Sequence, residues 1–108
     1  MIDTKQKALE HLIFEELVAA NKKFPQFQTM HEAYGVLKEE IEEVNEEVES
    51  INKEILKDYW TLCRRSEANH NKKETVFLLD CLKESTLNAI NELIQVAAMI
   101  EKTKQLEK

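Results

Sequence analysis

The sequence predicts an all-α fold: an antiparallel bundle of three to four helices. Two observations carry that expectation. The chain has 108 residues but only one glycine and one proline, where average usage gives roughly a dozen. Those residues punctuate turns, so hairpins and many short loops are excluded, as are Gly-rich phosphate loops and dinucleotide fingerprints. The second observation is that long amphipathic stretches are separated by only two clear breaks. One is Asn21-Lys22-Lys23-Phe24-Pro25, where proline disfavours helix at the residue before it. The other is Asn69-His70-Asn71, a cluster of poor helix formers.

These breaks place helices over about 4–21, 30–68 and 73–106. The first carries Leu9, Leu12, Ile13, Leu17 and Val18 as its apolar stripe. The second opens on a capping box, Thr29-Met30-His31-Glu32, with hydroxyl first and carboxylate three residues on. Apolar residues then step by threes and fours through Tyr34, Leu37, Ile41, Val44, Val48, Ile51, Ile55, Tyr59 and Leu62. Such stepping marks a seam for partner helices. The third carries Leu79, Leu82, Ala89, Ile90, Leu93, Val96, Ala97 and Ile100. A weaker break at Glu84-Ser85-Thr86 would split it, with Ser85 as cap. The polar tail from Glu101 is expected to fray. Tyr59 and Trp60 read as core aromatics. Gly35 either permits a close helix approach or is tolerated at about 1 kcal/mol against alanine. The organisation is one domain over 1–108, with 1–28 as first helix and connection and 29–106 as a long helical hairpin. A second copy of the chain would complete the seam.

Composition narrows the function. The 43% hydrophobic and 33% charged content excludes disorder. A net charge of −6 speaks against a nucleic-acid partner, which needs a basic face. No apolar run has the length of a membrane span or the form of a signal peptide. A cytoplasmic chain with no membrane partner is expected, and Cys63 and Cys81 are expected as reduced thiols.

The second helix is crowded with glutamates. With Leu37 as the centre of the seam and about 100° per residue, Glu40 falls near −60°, Glu47 near −80° and Glu43 near −120°. They therefore flank the seam rather than occupy its back. Like charges at i, i+4 repel, and a hard divalent cation would relieve the repulsion. Glu92 and Gln95, at i, i+3 on the last helix, are the natural second pair. In an antiparallel hairpin the two pairs are level when the turn lies midway between them, close to Asn69-His70-Asn71. Glu67-x-x-His70 fits half of a di-iron motif, which needs two copies. The histidines and cysteines lack paired zinc spacing.

Leu37-Lys38-Glu39-Glu40-Ile41-Glu42-Glu43-Val44 resembles the E-E-x-x-E motif of the MazG-like all-α nucleotide pyrophosphohydrolases. Glu92-Leu93-Ile94-Gln95-Val96 is similar to that family's second motif, E-x-x-D. His31 to Leu37 and Gln95 to Met99 are similar to phage-type and prophage-type members. The resemblance covers about residues 29–100. It implies hydrolysis of a nucleoside triphosphate to the monophosphate and pyrophosphate, by a homodimer or homotetramer. Glu40, Glu43, Glu92 and Gln95 would hold Mg²⁺, with Mn²⁺ as a substitute. Glu43 and Glu39 would be catalytic, Glu39 as base or as orienter of the water. The chain departs from the pattern at Gln95, which stands where the family has aspartate, and the motifs are further apart than in compact members. One anionic ligand is lost, which predicts weaker metal binding. The competing expectation is a non-catalytic helical interaction protein that keeps the bundle.

Overall fold

A computed structural model of the chain describes residues 3–24, 26–64 and 72–107. It is all-helical, with no strand among the described residues. Helix α1 spans Thr4–Lys23 and α2 Met30–Ser50. A π-helical turn, Ile51–Ile55, leads into α3, Leu56–Arg64. Helix α4 runs Lys72–Lys104 and ends in a 3₁₀ turn, Gln105–Glu107. The break expected at Asn69-His70-Asn71 lies outside the described residues, as does Glu67-x-x-His70.

Each boundary has a local cause. Asp3 caps α1 by accepting a hydrogen bond from the Gln6 N–H at 2.8 Å, which satisfies one orphan donor of the first turn. Phe24 closes that helix. It is extended at φ −131°, ψ 142°, the region favoured before proline. Thr29 opens α2 as the capping box predicts, its hydroxyl accepting from the Glu32 N–H at 3.1 Å. Helix α4 does not break at Ser85. The Thr86 hydroxyl donates to the Leu82 carbonyl at 2.7 Å, so a side chain that could have competed with the ladder joins it instead.

The π turn has no signal in the apolar stepping. The Leu56 N–H reaches back to the Ile51 carbonyl, one residue further than in an α-helix. The extra residue turns the chain beyond it by about 100°. Leu62 is buried and Tyr59 half-buried, while Trp60 is 59% exposed. The expectation that Trp60 is core is therefore overturned, since its neighbours occupy the covered face.

The chain folds as two compact units, one of Met1–Glu43 with Asn91–Lys108 and one of Val44–Ile90. The first holds Phe27, Ala33, Val96 and Ala98 as buried apolar residues, the second Val44, Leu62 and Ala89. Two sequence expectations are corrected in the first unit, and the alternative left open at Gly35 is decided. The stripe of α1 is rotated: Leu9, Leu12 and Val18 are exposed, and Ile13, Glu16, Leu17, Ala20 and Asn21 form the covered face. The tail is helical from Glu101 through Glu107 rather than frayed, with Lys102 buried and Gln26 donating an Nε2 hydrogen bond to Gln105 at 3.0 Å. Gly35 faces open space, where an added Cβ would meet nothing. It therefore serves no close approach.

Candidate functional site

The covered face of α2 is centred on the glutamates. Ala33 is fully buried and Val44 nearly so, while Val36, Leu37, Glu40 and Glu47 are half-buried. Measured from Leu37, these residues cluster around about −60°, the direction of Glu40 itself. The apolar residues near +20° to +60°, Tyr34, Ile41 and Val48, point outward, Tyr34 with 63% of its surface exposed. The seam read from apolar stepping is thus displaced by about 60°. A larger displacement, about 120° from Leu93, occurs on α4. Leu93 and Ile100 are exposed, whereas Glu92, Gln95 and Met99 are half-buried and Val96 and Lys102 are buried.

This geometry brings Glu40 into an unusual environment. Its Oε2 is sealed from solvent and accepts no hydrogen bond. Burial pushes its pKa above the usual carboxylate value, and the charges of Glu43, Glu92, Glu39 and Glu16 push it further in the same direction. Glu40 and Glu92, one from each of the two long helices, are close enough to interact. Glu39 and Glu43 lie on the exposed side of α2. Glu16, on α1, is a neighbour that sequence reasoning missed. The phase of α1 is blurred by its scattered apolar residues, so nothing in its pattern marked Glu16 as inward.

Beside Glu40 lies a cavity of about 700 Å³ within the first unit. Helix α1 supplies Glu16, Ala20 and Lys23, and the connection after it supplies Phe24 and Phe27. Glu32, Val36 and Glu40 come from α2, and Gln95, Met99 and Lys102 from α4. Gln95 and Glu40 thus share one wall system. Lys23 and Lys102 are its cations. Lys102 was legible: it sits two turns beyond Gln95 on the same stripe, but the expectation of a frayed tail hid it.

The donor set suits a hard divalent cation. Carboxylate and amide oxygens are the ligands Mg²⁺ prefers. An oxygen without a donor among four neighbouring carboxylates gains from a positive charge. Among the described residues, however, no three histidine, cysteine, aspartate or glutamate side chains already stand as a group that could hold a metal ion. No helix among the described residues is long and apolar enough to cross a membrane. No family model, curated protein or solved structure matches the chain.

Proposed function

We propose that the chain is a Mg²⁺-dependent nucleoside triphosphate pyrophosphohydrolase of the MazG-like kind, or a diverged relative of one. The observation that carries this reading is Glu40: a sealed carboxylate oxygen with no hydrogen-bond donor, pressed by four like charges, beside a cavity of nucleotide size. Glu40, Glu43, Glu92 and the Gln95 carbonyl would hold the ion. When bound, the ion neutralises charge on the phosphates and eases ionisation of the attacking water. Glu39, exposed on α2, would orient that water or accept its proton. Water adds to the α-phosphorus and pyrophosphate leaves, so the products are the nucleoside monophosphate and pyrophosphate.

The test is pyrophosphate release from a panel of ribo- and deoxynucleoside triphosphates with Mg²⁺ or Mn²⁺. Release is expected from the wild type. Glu43→Gln should lower it by at least about a hundredfold with the circular dichroism spectrum unchanged. No release from any substrate, together with no thermal shift from either metal, overturns the proposal.

A second reading, a non-catalytic helical interaction protein, is favoured by the outward apolar residues Tyr34, Ile41, Leu93 and Ile100. It predicts oligomerisation without metal binding. The two readings share a homodimer or homotetramer and part on the metal.

A further inference from the structure

Lys102 is 2% exposed and is the one buried charged residue among the described residues. Its Nζ lies 4.7 Å from the centre of the Phe27 ring. Among the described residues it makes no ion pair and no hydrogen bond. A cation–π contact replaces only part of the hydration an ammonium loses on burial. Methionine or leucine would fill the same space without that cost, and replacement of buried charge by apolar groups is often stabilising. A lysine in such a place is suited to an incoming counter-charge.

The surroundings say what that counter-charge is. Lys102 shares its cavity with Phe27, Val36 and Met99, which form an apolar wall, and with Glu40 and Gln95. One chamber therefore holds an ammonium, an apolar surface, and the carboxylates of Glu16, Glu32 and Glu40. A ligand that satisfies all three has an anionic group, an apolar or aromatic body, and charge that a metal ion can bridge to carboxylates. A phosphate ester of nucleotide size meets each condition, and about 700 Å³ suits it.

We infer that Lys102 is the cation that holds the phosphate of a nucleotide in this chamber. The inference rests on the pyrophosphohydrolase reading and supplies the phosphate-binding group that a fold without a Gly-rich loop requires. The ammonium donates to a phosphate oxygen, a charge-assisted bond. Lys23 is exposed and lies against Phe24, 5.6 Å from the ring centre, so it is the lesser candidate.

The experiment is calorimetric titration with an α,β-methylene deoxynucleoside triphosphate and with inorganic pyrophosphate, each in EDTA and in Mg²⁺. Lys102→Met keeps the apolar stem and removes the charge. It should weaken the triphosphate analogue between about tenfold and a hundredfold, the range for one charge-assisted hydrogen bond. Lys102→Arg should restore most of the affinity. Mn²⁺ affinity, read by electron paramagnetic resonance, should be the same in all three proteins. A purely structural role would move the melting temperature of Lys102→Met and not its affinity, which overturns the inference. Equal affinity of Lys102→Met and wild type overturns it too, while pyrophosphate release by the wild type would leave the hydrolase reading standing. Binding that depends on Lys102 in EDTA, with no hydrolysis in any metal, has the opposite meaning: Lys102 stands and the hydrolase reading falls.

Discussion

Glu40 costs the fold stability that an isosteric amide would not. Its folded pKa lies above the ordinary 4.5, through burial first and then through Glu43, Glu92, Glu39 and Glu16. The folded state therefore binds a proton more tightly than the unfolded state does. Stability must fall as pH rises from 4.5 through the raised value, and the loss persists above it. Glu40→Gln removes that dependence. Without metal at pH 7 its melting temperature should rise by a few degrees, corresponding to on the order of 0.5 kcal/mol after discounting for partial exposure. Scanning calorimetry between pH 4 and 7 checks this. A lower melting temperature for the variant would mean that the carboxylate makes a contact that stabilises the fold. The closeness of Glu40 and Glu92 was legible in part, because the spacing of charges along two helices is a sequence fact. Glu16 was not, since its placement depends on how α1 rolls against its neighbours.

Helix existence was readable and helix phase was not. Proline, the capping hydroxyl of Thr29 and the long apolar stepping place the starts of α1, α2 and α4 within a residue or two. Phase fails because apolar stepping locates the face that most needs burial, not the face this chain alone covers. On α2 the two differ by about 60°, and the remainder, Tyr34, Ile41 and Val48, is left outside. The π turn was invisible because it arises from ladder geometry rather than composition. Gly35 offers a clean test of α2 as an element. Its missing Cβ would meet open space, so Gly35→Ala should stabilise by about 0.5–1 kcal/mol through the unfolded chain's lost freedom. Thermal denaturation measures it. A destabilised variant would show that the helix bends or is contacted there.

At the scale of the whole molecule, Ile41 and Leu93 are exposed, and the proposed homo-oligomer is testable there. Sedimentation should give a dimer or larger species, and Leu93→Lys should shift it toward monomer by burying an unpaired charge in the contact. A monomeric wild type at high concentration would sink this. Finally, the first compact unit joins Met1–Glu43 to Asn91–Lys108, so it is discontinuous in sequence. On a ribosome it cannot close until all of Val44–Ile90 has been synthesised, an interval of roughly 2–10 s at usual elongation rates. Phe27, Ala33 and Val36 wait through that interval without the helix that shields them. Nascent-chain protection, whether by a chaperone or by the growing second unit, is thus a demand written into the order in which the chamber's walls are made.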